Sequence, residues 1–318
     1  MDRGEGCEIH ENACWDLQTY LGLRENVAAN EGARSYIHES TRKRTPLGHA
    51  HRDHICNLSI EQFREMCRQV IRQLVDEVAE TEEFFRAGIV AIDIAEADPF
   101  TGDRTGHEDE IIGTRENTNK YAYQWTTVQL VGNAVPIVLD ARPVRRGESR
   151  KEIVKDLLDS AENLVHVDNV LIDREFDSQH VLEMISQRGL SYVVPKRMQT
   201  SEKAQAKRLL RRDQDRYETD RNLHLGKNEW HETTLIYRRK ENSEHDDHRQ
   251  YSVFMTNTGS GFLTEYGYGG RARVVTSRSN ASRPRRHRRI SGFDSSISRL
   301  RVCSTRFGGP SICSCRSS

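Results

Sequence analysis

Two aspartates end short apolar runs in this chain of 318 residues. Asp93 lies in Val90-Ala91-Ile92-Asp93-Ile94, and Asp173 follows Val170-Leu171-Ile172. A carboxylate in such surroundings is costly to ionise unless something compensates for its burial, and a bound cation is the commonest compensation. Two of them brought together could bridge divalent ions, one activating water or a 3′-hydroxyl and the other stabilising the leaving oxygen of a phosphodiester. Mg²⁺, or Mn²⁺ in its place, suits such an oxygen-rich, partly hydrated site. The plainer alternative for each aspartate is a strand-end cap hydrogen-bonded to backbone amides.

Other candidates are weaker. His49, His51, His54 and Cys56 are close enough in sequence to suggest zinc, but no second ligand pair follows, and closely spaced histidines are more often solvated loop residues. The seven cysteines form no CxxC pair and read as free thiols. No run of about 18 apolar residues occurs, and the N-terminus lacks a basic-then-apolar leader, so a cytoplasmic protein without a membrane span is expected.

The elements that would position the aspartates follow from periodicity. Apolar residues at Ile60, Phe63, Met66, Val70, Ile71, Leu74 and Val75 recur at helical spacing and predict a helix over 58–87. It closes a mostly helical region, 1–87, whose first 57 residues read as polar and irregular. Strands are expected at 89–94, 121–131 and 134–139, the last two joined by Gly132-Asn133. A helix over 149–164, a strand at 169–172, a helix over 178–188 and a strand at 191–194 come next. Three sequential antiparallel strands followed by alternating helices and strands predict a mixed α/β sheet in ribonuclease H-like order, over 88–268. Further on, 203–217 reads as a charged helix, and 233–238 and 251–255 as strands of a small β-containing insertion spanning about 198–257.

Asp173-Arg174-Glu175-Phe176-Asp177-Ser178 is similar to the second-aspartate motif of DDE-type insertion-sequence transposases, and Ala91-Ile92-Asp93 to the first. Residues 117–131, 137–150 and 190–197 resemble transposases of halophilic archaeal insertion sequences, and the likeness covers roughly 88–268. It implies a metal-dependent enzyme that cuts and joins DNA at element ends. Asp93 and Asp173 would be the catalytic metal ligands, the partners would be terminal-repeat and target DNA, and a homo-oligomer could form on that DNA. Arg174, Lys196, Arg197 and Tyr266 are the expected DNA contacts, and Arg142, Arg145 and Arg146 could meet phosphate as well.

The resemblance breaks near Tyr268. These transposases carry a third acid on a helix, in a signature of tyrosine, two residues, arginine, three residues, glutamate, six residues, lysine. Tyr266 stands at the tyrosine, but Gly269 replaces the arginine, and no acid occurs between Glu265 and Asp294. Read one base out of register, the codons of Tyr268 to Ser282 can encode Arg-Trp-Glu-Ser-Glu-Ser-Gly-Tyr-Lys-Ser-Ile-Lys-Arg-Phe, which restores the arginine, glutamate and lysine at their spacings. Residues 269–318 thus read as an out-of-frame, disordered basic tail. The charge agrees: residues 1–266 hold 36 Lys and Arg against 47 Asp and Glu, whereas 267–318 hold 12 Arg and one acid. Without the helix that the family packs on the sheet, a large apolar face is expected to be left exposed. The chain then reads as a transposase that lacks its third acid and is inactive. The alternatives are a DNA-binding remnant, or a nuclease in which Glu96, Asp98 or Glu175 supplies the missing ligand.

Overall fold

The computed structural model describes residues 9–24, 28–79, 88–113, 120–131, 137–224, 230–240 and 243–258. The chain divides into two compact units, which among the described residues comprise 9–65 with 97–102, and 66–96 with 103–258.

The first unit holds α1 (Glu11–Leu23), α2 (Ala29–Glu39), α3 (Gly48–Cys56) and the start of α4 (Ile60–Ala79). Leu17, Leu21, Ala29 and Ala33 form its core, with Tyr36 packed against them. The stretch that reads as irregular is therefore helical over most of 11–56. Leu17 and Leu21 of α1 meet Ala29 and Ala33 of α2 along a narrow apolar stripe, so helical periodicity is faint. The Gly48 amide donates to Asn30 Oδ1 at 2.6 Å, and a Cβ on Gly48 would come within 2.7 Å of the Asn30 backbone nitrogen, so α2 and α3 can approach only because position 48 has no side chain. The fourth helix spans Ile60–Ala79; residues 80–87 lie outside the described ones.

The second unit is built on one mixed sheet. Its strands are β1 (Ile89–Phe100), β2 (Ile111–Gly113), β3 (Tyr121–Val131), β4 (Ile137–Val144), β5 (Asn169–Ile172), β6 (Ser191–Lys196), β7 (Arg216–His224), β8 (Trp230–Arg239) and β9 (Tyr251–Thr256). They lie in the order β2-β3-β1-β5-β6-β9-β8-β7, with β4 also on β3. The β3–β4 pair is antiparallel, as are β6–β9, β9–β8 and β8–β7, whereas β1–β5 and β5–β6 are parallel. The parallel strands are linked by α5 (Arg150–Glu162), which precedes β5, and α6 (Gln179–Gln187), between β5 and β6.

Strand alternation sorts the side chains by face. Val90, Ile92, Val170, Ile172 and Val194 join Leu157, Leu158, Val181 and Ile185 of α5 and α6 in the main core. Ile89, Ala91, Leu171, Val193, Ile236 and Phe254 form a second cluster. Those six are between 0% and 9% exposed. A polar network ties α4, β4 and α5: Arg68 donates through Nε and Nη2 to Asp140 Oδ2 at 3.1 and 2.8 Å, and through Nη2 to Ser160 Oγ at 2.6 Å.

Several elements depart from the sequence reading. The segment expected to be one charged helix is α7 (Thr200–Arg211), and β7 follows. Asp213, at φ +51°, takes the left-handed conformation that ends helices, and the Gln214 amide donates back to Leu209 O at 3.1 Å. Within the small β-containing insertion expected at about 198–257, β9 pairs with β6 and carries β8 and β7 onto the same sheet. Two further differences are β2, which the sequence did not signal, and the second hairpin strand, which begins at Ile137 within the described residues and runs on to Val144. The Gly132-Asn133 turn lies outside the described residues.

Candidate functional site

The parallel register decides where the two aspartates stand. Ile89, Val90, Ala91 and Ile92 are paired with Asn169, Val170, Leu171 and Ile172, so the next position on each strand is Asp93 and Asp173. The Asp173 amide donates to Ile92 O at 3.2 Å, which carries the pairing to the end of β5. Neighbouring strands lie about 5 Å apart, and residues in register share a face. Ile92 and Ile172 face the main core, so Asp93 and Asp173 leave the sheet together on the side of Ala91 and Leu171. Asp93 and Asp173 thus stand at the carboxyl ends of neighbouring parallel strands, where α/β sheets commonly bind ligands.

Asp173 is 4% exposed, and Asp93 is partly buried. Beyond Asp173 the chain turns at once into a 3-10 turn, Arg174–Phe176. The Asp173 Oδ1 accepts the Arg174 amide at 2.7 Å, as the strand-end-cap alternative requires, and this contact also fixes the orientation of the carboxylate. Capping and metal holding are compatible, since a carboxylate has two oxygens. The donor set fits a hard divalent cation: two adjacent like charges at a partly buried sheet edge are offset most directly by a cation with oxygen ligands. Among the described residues no group of three His, Cys, Asp or Glu side chains is gathered to hold a metal ion.

Glu175 does not complete a triad by strand alternation, because it lies in the 3-10 turn and not on a continuing strand. The side chains of Glu96 and Asp98 lie outside the described residues, as does Tyr266 together with the whole segment 259–318. The histidine and cysteine group in α3 does not gather either. His51 is fully buried, its Nε2 lies 2.8 Å from Gln18 Oε1, and burial, helped by the nearby charge of His54, lowers its pKa to about 4. Cys14, Cys56 and Cys67 are in no disulfide, and burial, then Asp140, raises the Cys67 thiol to about 11.

The basic residues expected to meet DNA divide into two groups. Arg174 and Arg197 are exposed near the strand ends. Lys196 is withdrawn: its side chain is 9% exposed and its Nζ donates to Asp177 Oδ2 at 3.4 Å. Arg142 is paired with Glu148 and, at 3.0 Å, with Asp156. Arg145 remains half-exposed, 4.0 Å from Glu110, and Arg146 is exposed. The sequence reading did not single out Asp177, although it sits in the same short motif as Asp173.

Among the described residues, no helix is long and apolar enough to cross a membrane. Compared with known proteins, the chain matches no family model, and no curated protein matches it.

Proposed function

We propose that this chain derives from a DDE-type insertion-sequence transposase, with Asp93 and Asp173 as two of the three carboxylates that hold Mg²⁺ or Mn²⁺ for DNA cleavage and strand transfer at element ends. The observation that carries this reading is the β1–β5 register, which makes the two strand-ending aspartates neighbours on one face. The strand order supports it further. A β3–β4 hairpin on one side of β1, and parallel β5 and β6 on the other, is the order expected of a ribonuclease H-like domain.

Asp93 and Asp173 would ligate the metal, and the Arg174 amide holds one Asp173 oxygen in place. When bound, the ion supplies Lewis-acid stabilisation of the phosphoryl oxygens and a lowered pKa for the attacking hydroxyl or water. Arg174, next in the chain to Asp173, and Arg197, just past the end of β6, are exposed and can neutralise the DNA backbone without reading its sequence. With no acid between Glu265 and Asp294, the third ligand of the family signature is missing, so DNA binding without cleavage is what this chain retains. A nuclease completed by Glu175 is disfavoured by the turn that carries that residue.

The test is nicking of a terminal-repeat duplex in Mg²⁺ or Mn²⁺, by this chain and by a version read in the restored frame. We expect cleavage from the restored version alone, abolished by Asp93→Asn or Asp173→Asn with duplex binding kept. Cleavage by the restored version that persists in both variants refutes the metal-ligand assignment; robust cleavage by the unrestored chain refutes its inactivity.

A further inference from the structure

We propose that Lys196 is a positioning residue that orients the Asp173 carboxylate, in place of the phosphate contact its charge suggests; the inference rests on the reading of Asp93 and Asp173 as metal ligands. Lys196 closes β6, where its backbone pairs with Val253 of β9, so its stem springs from a strand bonded on that side. The stem is buried and the ammonium reaches Asp177. Asp177 directly follows the 3-10 turn that begins after Asp173.

That turn is held at three places. The Asp173 amide bonds to Ile92 O, which joins it to β1; Phe176, fully buried, anchors it in the main core; and Asp177 is tied to β6 through Lys196. Within the turn, the Phe176 amide donates to Asp173 O at 3.0 Å and the Asp177 amide to Arg174 O at 3.2 Å. The Arg174 backbone therefore links both ends: its amide orients Asp173 Oδ1, and its carbonyl, on the next peptide unit, accepts from Asp177. Releasing Asp177 loosens the Arg174 backbone, and with it the carboxylate. Groups that orient a ligand without touching the metal typically alter metal affinity by about 10- to 100-fold.

The experiment uses the full chain with Lys196→Met, which keeps the stem, the conservative Lys196→Arg, and Asp177→Asn, which removes the partner's charge. Amide hydrogen exchange over 174–177, Mn²⁺ binding followed by electron paramagnetic resonance, and duplex-DNA affinity are measured on each. Lys196→Met and Asp177→Asn are each expected to speed exchange of those amides and weaken Mn²⁺ binding about tenfold, with duplex affinity unchanged. The double variant should be no worse than either single one, and Lys196→Arg should restore both properties. Unchanged exchange overturns the inference, as does faster exchange with Mn²⁺ affinity intact. A loss of duplex affinity alone returns Lys196 to a phosphate contact. Wild-type Mn²⁺ binding that survives Asp93→Asn fails the metal reading itself, and exchange at 174–177 then reports separately on the tie.

Discussion

At the residue scale, the partner of a charge matters more than its sign. Arg142 and Lys196 looked like DNA contacts because sequence shows that a side chain is basic, not what stands opposite it. In the fold Arg142 is paired with Glu148 and Asp156, and Lys196 with Asp177. His51 is the converse case, a histidine that could have been a ligand but is buried and bonded to Gln18. Burial, followed by the charge of His54, holds its pKa at about 4, below its ordinary 6.5. The unfolded chain thus takes up this proton as pH falls through 6.5, whereas the folded ring resists until about 4. The stabilisation is complete above pH 6.5 and is lost between 6.5 and 4, by on the order of 3 kcal/mol. Urea unfolding at pH 7 and at pH 4.5 should show that loss, and His51→Gln should show much less of it. An equal loss in the variant would dispose of the assignment.

At the element scale, strands with one apolar face announced themselves and strands with mixed faces did not. The span expected for β5, Asn169–Ile172, is the span found, because the short apolar run Val170-Leu171-Ile172 has few alternatives. By contrast, β7 alternates half-buried Tyr217, Thr219, Arg221 and Leu223 with exposed Glu218, Asp220 and Asn222. Only two of its inward residues are clearly apolar, and Arg221 faces inward because buried Glu202 of α7 pairs with it. The period of two was present but masked by charge. The start of β1 also depends on one backbone conformation. Gly88 sits at φ +49°, its carbonyl accepts the Asp168 amide at 2.7 Å, and a Cβ there would meet the Asp168 side chain and lie 3.1 Å from its amide nitrogen. Gly88→Ala is therefore expected to cost about 1–3 kcal/mol, read as a shift in the denaturant midpoint at constant slope. A shift near zero would show that the β1 entry relaxes freely.

At the scale of the whole molecule, a formal net charge of zero conceals a split of −11 over residues 1–266 and +11 over 267–318. The arginines of the second segment should bind duplex DNA of any sequence, with an affinity that falls steeply with salt. A chain ending at Tyr268 should lose most of that binding, and its salt slope should flatten with the number of phosphate contacts removed. If the slope is unchanged, the acidic body carries the contacts and the basic segment is a bystander. The sheet itself is continuous from β2 to β7, so the strands after α7 belong to the same body as the aspartates.

By itself the sequence determined the two strand-ending aspartates, the motif around Asp173, the helices that precede β5 and β6, and the split in charge. All of these are local, being periodicities, neighbours along the chain or counts, and local order needs no partner. Only the tertiary structure decided that Asp93 and Asp173 share a register, that β9 closes on β6, and that Lys196 belongs to Asp177. Each of those pairs residues far apart in the chain, and the pairing depends on which strands hydrogen-bond and which faces are buried, a choice that alternation along a single strand cannot specify.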